Sequence, residues 1–166
     1  MSEHFDYTGK IVVGTNGSAI ARSAVDWAAE RAVAKGRPLV VLLITPDMPS
    51  LSRGEIMSKV DRVDDLVDGM RRRAEDRLEA EHARLAEKYP GLPVEAHMLV
   101  DDASFPLARA TRTAELVVIG SRSHSAPLSA RALGGTSAAV AAHAHGPVVV
   151  VPEDAHLHPQ GAVVVG

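Results

Sequence analysis

The chain has 166 residues, of which 46% are apolar and only 3% aromatic, with no cysteine and a formal net charge of −3. That length suits one well-packed core rather than two comfortable domains. The lack of cysteine excludes a disulfide scaffold, thiol catalysis and thiolate metal sites, and the slight acidity gives no basis for expecting nucleic acid or an anionic membrane as partner.

A core with so few rings must be built from Val, Leu, Ile and Ala, which favours a parallel sheet buried on both faces beneath Ala-rich helices. Residues 1–9 read as a polar, acidic arm without a signal or transit pattern. No apolar run approaches the roughly 20 residues of a membrane-spanning helix, so a cytoplasmic location is expected.

From residue 10 the elements alternate. Lys10 to Gly14 is a short buried strand, and Ser18 or Ala19 to about Lys35 a helix, with Ala21, Ala24, Val25, Ala28 and Ala32 on its apolar face. Gly36 is the stop signal. Leu39 to Ile44 is the second strand, followed by a loop with Pro46 and Pro49. A long amphipathic helix then runs from about Val60 to Lys88. Its expected buried stripe is Val63, Val67, Met70, Ala74, Leu78, Leu85 and Tyr89, and the Arg71-Arg72-Arg73 run faces water. Val94 to Val100 is the third strand. Ser104, as N-cap, opens a short helix to about Thr113. Leu116 to Ile119 is the fourth strand, Thr136 to His145 a helix, and Val148 to Val151 the fifth strand.

Strands and helices in that alternation give an α/β, doubly wound, five-stranded parallel sheet with helices on both faces and right-handed crossovers. Its strand order is flavodoxin-like or of the 3-2-1-4-5 type. Ligands of such sheets bind beyond the carboxyl ends of the strands, where the order reverses. With the first and fourth strands at or near that point, two loops matter: Gly14-Thr15-Asn16-Gly17-Ser18 and Gly120 to Gly135. Both are rich in Gly, Ser and Thr, the composition that lets a backbone approach a phosphate and present its N–H groups. The second leads into a helix at Gly134-Gly135-Thr136-Ser137. This is either an anion site at a helix start or a glycine hinge with a Thr or Ser cap. The length of the loop favours a ligand. Neither G-x-x-x-x-G-K-[ST] nor G-x-G-x-x-G is present.

The run Ile11 to Ala29 with Trp27, the segment Glu115 to Ser123, and Leu133 to Val151 resemble the universal stress protein family, in the right order and over nearly the whole chain. The resemblance implies an adenine nucleotide alpha-hydrolase-like fold of order 3-2-1-4-5 and a homodimer, or tandem pseudo-dimer, joined through the last strand. It also implies a stress-response role and, in one branch, ATP with magnesium bound through G-x-x-G-(nine residues)-G-[ST]. The nucleotide-binding residues it implies here are Gly14, Thr15, Asn16, Ile44, Ile119, Gly120, Arg122, Ser123, Gly134, Gly135, Thr136 and Ser137. Four positions depart from that pattern. Ser123 stands at the second glycine, Gly134 comes one residue late, Gly135 falls at the Ser/Thr, and Asn16 replaces an acidic residue. Asp101, where many relatives have glycine, and Asp102 add negative charge near the ligand edge. The expectation is a regulatory, nucleotide-binding domain with little or no hydrolysis. The alternative is a nucleotide-free dimerisation or scaffolding module with a filled cleft.

The tail holds a second signal. Gly161-Ala162-Val163-Val164-Val165-Gly166 has the pattern of the first strand, after a polar linker of residues 152–161. Residues 162–166 are therefore either the start of a second copy of the domain 10–151 or an extra edge strand, and a bare apolar edge needs a partner. No metal site is expected, because His143 and His145, and His156 and His158, lack the spacing of a helical ligand pair. A Ser-His-Asp hydrolase is not expected either, since G-x-S-x-G is absent.

Overall fold

In a computed structural model of the chain, the residues described are 5–45, 63–120, 135–152 and 163–165. The Pro46–Pro49 loop, the expected helix start at Val60, the loop 121–134 and the linker 153–162 lie outside them.

The first strand, β1 (Ile11–Thr15), leads into α1 (Ala19–Lys35). Ser18 caps α1 by accepting from the Ala21 N–H, and Gly36 closes it in the left-handed conformation at φ 62°. β2 (Leu39–Thr45) follows, then α2 (Val63–Lys88), β3 (Val94–Val100), α3 (Ser104–Ala110), β4 (Leu116–Gly120), α4 (Gly135–His143) and β5 (Val148–Val151). These five strands are parallel in the order β3-β2-β1-β4-β5, as expected. A sixth, β6 (Val163–Val165), pairs antiparallel with the outer edge of β5, Val149 facing Val164.

Alternation along each strand splits the core into two layers. Ile11, Val13, Leu39 and Val41 pack with Ala24, Val25 and Ala28 of α1 and Leu85 of α2. Val12, Val40, Leu42 and Ile44 pack on the other face with Leu107 of α3 and Val140 of α4. α1 and α2 are tied through Asp26, whose carboxylate takes Arg84 at 2.7 Å and Lys88 at 3.2 Å. Hydrogen bonds to Glu81 hold the Arg84 guanidinium well above its ordinary pKa.

Four expectations need correction. The buried stripe of α2 is real only in its C-terminal part: Ala74 and Leu85 are buried, but Val67 is 38% and Met70 44% exposed. Helical spacing identifies an apolar face without saying how far the sheet beneath it extends. Ser104 is not the cap of α3 but its first residue. The residue before it, Ala103, makes no side-chain cap, and Asp102 accepts from both the Ser104 N–H (2.9 Å) and hydroxyl (2.5 Å). α3 stops at Ala110 rather than Thr113, where the Thr111 hydroxyl donates back to the Ala108 carbonyl at 2.6 Å. α4 likewise begins one residue earlier than expected and ends two earlier.

The arm before β1 is docked at Tyr7, which is buried against the α3–α4 layer. Burial pushes its phenol up to about 12, above the value in the unfolded chain. Folding therefore disfavours the phenolate. Tyr7 leaves stability untouched below about pH 10 and lowers it as pH rises toward about 12. Burial raises Tyr89 as well, so the contribution is read by difference. Urea midpoints of the wild type should fall more steeply above about pH 10 than those of Tyr7→Phe, and parallel curves would refute the assignment.

Candidate functional site

The carboxyl edge of the sheet is built where β1 and β4 run side by side, Gly14 opposite Ile119. The β1–α1 loop leaves this edge in two nested turns. The Thr15 hydroxyl accepts from the Gly17 N–H at 3.0 Å, and the Asn16 side-chain carbonyl from the Ser18 N–H at 2.9 Å. Gly17 permits the fold of the loop with φ 77°. The Asn16 carbonyl oxygen is thus engaged by its own loop, leaving the amide N–H2 to donate elsewhere.

Across from it, β4 ends at Gly120, and α4 returns so that the Ser137 hydroxyl donates to the Gly120 carbonyl at 3.4 Å. Ser137 is buried while Gly135 and Thr136 are exposed. A methyl group on Gly120 would sit 3.6 Å from the Ala24 Cβ, which places the end of β4 against the first turns of α1. Thr15, Asn16, Gly120, Gly135, Thr136 and Ser137 therefore belong to one edge. Arg122, Ser123 and Gly134 lie outside the described residues.

Gly14, Ile44 and Ile119 have another environment. Ile44 and Ile119 are buried members of the α3–α4 layer. A Cβ at Gly14 would lie 2.8 Å from Leu107 Cδ1, so the glycine makes room for the α3 leucine. Leu107 carried no signal in the sequence, because the contact joins residues 93 positions apart.

The acidic pair beside this edge is largely engaged. Asp101 lies 3.8 Å from Arg109 and accepts the Asp102 N–H at 2.8 Å. The Ser104 side-chain hydrogen bond holds Asp102 below the usual carboxylate pKa. Among the described residues, no group of three His, Asp or Glu side chains is placed to hold a metal ion, and no helix is long and apolar enough to cross a membrane. The Arg71–Arg73 run is exposed on α2, with Arg71 paired to Glu75 at 2.9 Å.

A doubly wound domain of this strand order, with a Gly/Ser/Thr-lined edge at β1 and β4, defines the class: a parallel α/β sheet domain with its candidate site at the carboxyl ends of the strands. Residues 8–152 match the model of the universal stress protein family, and the chain belongs to that family. A universal stress protein of Mycobacterium tuberculosis is 30% identical over 176 aligned positions, covering 94% of this chain and 52% of the relative. The chain thus spans about half the length of the relatives it matches. Among solved structures, a universal stress protein in complex with cAMP superposes with a TM-score of 0.55 at 24% identity, covering 90% of this chain and 99% of that one. The Archaeoglobus fulgidus universal stress protein in complex with dAMP gives 0.54 at 20%, covering 87% and 98%. These structural likenesses carry the fold.

Proposed function

We propose that this domain is a regulatory module that binds an adenine nucleotide, ATP with magnesium, across the β1–β4 edge with little or no hydrolysis. The observation that carries this reading is the meeting at one edge of the Asn16 loop, the end of β4 at Gly120 and the start of α4 at Ser137. Related folds hold cAMP and dAMP, which supports the adenine part. The Asn16 amide would face the ribose or base, and the N-terminal N–H groups of α4 the phosphates, where bound magnesium would supply charge neutralisation. The carboxylates Asp101 and Asp102 are engaged by Arg109 and Ser104, which leaves neither poised as a general base.

Titration with ATP and magnesium to millimolar concentration should saturate and raise the melting temperature. Stabilisation reaches about 2.7 kcal/mol at a hundredfold excess over Kd. Asn16→Ala should weaken binding about fivefold, the worth of one hydrogen bond, and phosphate release should stay at the uncatalysed background. A flat titration sinks the proposal.

Leu107 filling the space over Gly14 favours a second reading, a nucleotide-free dimerisation or scaffolding module. In both readings we propose association through the last strand, as a homodimer or a tandem pseudo-dimer. β6 takes the outer edge of β5, so a partner strand either adds to β6 or displaces it. Under the second reading, sedimentation should give the same self-association with and without ATP.

A further inference from the structure

On the face of the sheet covered by α1 and α2, the β1–α1 loop borders a cleft of about 130 Å3. Its walls are Thr15, Gly17 and Ser18 on one side and Arg22, Arg77 and Arg84 around the other, with Glu81 the carboxylate among them. A single water needs about 10–15 Å3 of such space, so a tetrahedral oxyanion fits with its hydration.

The charges do not cancel. Arg84 is committed, with Nη1 on Asp26 at 2.7 Å and Nε and Nη2 on the two Glu81 oxygens at 3.0 and 2.5 Å. That fork occupies Glu81. Arg22 Nε reaches Glu81 only at 3.9 Å, beyond hydrogen-bond distance. Arg77 makes no hydrogen bond or ion pair with any other described residue. Its stem lies over Gly17, where a Cβ would come within 3.2 Å of Arg77 Cδ, so a glycine in the loop seats this arginine at the cleft. The two hydroxyls there already accept backbone N–H groups, Thr15 from Gly17 and Ser18 from Ala21. Each retains its own O–H to donate.

We infer that this cleft is an oxyanion site that takes a phosphoryl group between Arg22 and Arg77, with the Thr15 and Ser18 hydroxyls as further donors. Guanidinium forks match the oxygens of phosphate in pairs. With Arg77 unpaired among the described residues and Arg22 held only by a 3.9 Å ion pair to Glu81, the cleft keeps an excess of positive charge until an anion enters. The site does not rest on the nucleotide reading, although the Thr15–Ser18 loop borders both. The phosphoryl group belongs either to free inorganic phosphate or to the distal end of a nucleotide held at the edge.

Calorimetric titration of the full chain with inorganic phosphate tests this. Saturable binding is expected, weakened about tenfold by Arg77→Gln and by Arg22→Gln, the worth of a charge-assisted hydrogen bond. Arg112→Gln, an exposed change beyond α3, should bind as the wild type does. Absence of saturable binding, or equal binding in all four proteins, would overturn the inference. If ATP excludes phosphate and Arg77→Gln weakens ATP more than adenosine, the nucleotide is the source. If phosphate binds alongside ATP, or binds when ATP does not, free phosphate is the ligand. Failure of ATP binding with phosphate binding intact would count against the proposed function alone.

Discussion

Gly146→Ala is expected to cost about 3 kcal/mol of stability, at the upper end of overpacking effects, and to lower the melting temperature by about 6–12 °C. Gly146 sits in the turn between α4 and β5, and a Cβ there would clash with the backbone carbonyl oxygen of Thr111. A clash with a side-chain tip is relieved by a rotamer change. A clash with backbone is relieved only by moving one chain segment. Both segments are pinned. The Thr111 hydroxyl accepts the His145 N–H at 2.9 Å and donates to the Ala108 carbonyl at 2.6 Å. The Pro147 carbonyl accepts from Val117 on β4 at 3.1 Å. Thermal and urea unfolding measure the loss, and a cost below about 1 kcal/mol would mean that the turn yields. The hydrogen bond of Ser137 at the candidate edge lies at the other end of α4, so the loss should appear in stability first.

That turn illustrates what the amino-acid order conceals. The aliphatic runs Ile11–Val13, Leu39–Ile44, Leu116–Ile119 and Val148–Val151 announce strands because a parallel strand is buried on both faces. Gly36 announces a helix end because only glycine enters the left-handed region cheaply. Gly14 and Gly146 look like generic loop glycines, yet the reason for each is a contact from α3 or its C-terminal end, Leu107 for one and Thr111 for the other. Such long-range sterics leave no local pattern.

The candidate edge was readable for a topological reason. Once the strand order brings β1 and β4 together, their carboxyl ends must lie side by side, and they do, with Gly14 opposite Ile119 and Ser137 returning to Gly120. The arginine cleft was not readable. Arg22 comes from α1 and Arg77 and Arg84 from α2, far apart in sequence, whereas the contiguous Arg71–Arg73 run that draws attention lies on an exposed face. A run of charge in sequence marks a solvated helix surface more often than a site, and a site assembles its charge across elements.

The second large effect follows from the way α2 is held. With Val67 and Met70 exposed, docking of this 26-residue helix falls to its C-terminal half. There Leu85 is fully buried against the sheet and α1, with Leu78 and, just past the helix, Tyr89 packed against the same cluster. Leu85→Ala should cost about 3–5 kcal/mol, the upper part of the range for such truncations. The cost of a core truncation depends on how far its surroundings collapse into the cavity, and here they are braced. Arg84 and Lys88, flanking Leu85, are both fixed to Asp26 on α1. The matched change Met70→Ser removes an apolar side chain from the same expected stripe but should stay within about 0.5 kcal/mol, as exposed substitutions do. Urea midpoints of the two variants, read with the denaturant slope to confirm a two-state transition, decide the matter. Equal losses would mean that α2 is clamped along its whole length, and a small loss for Leu85→Ala would mean that the Asp26 ion pairs, rather than the leucine, hold the helix down.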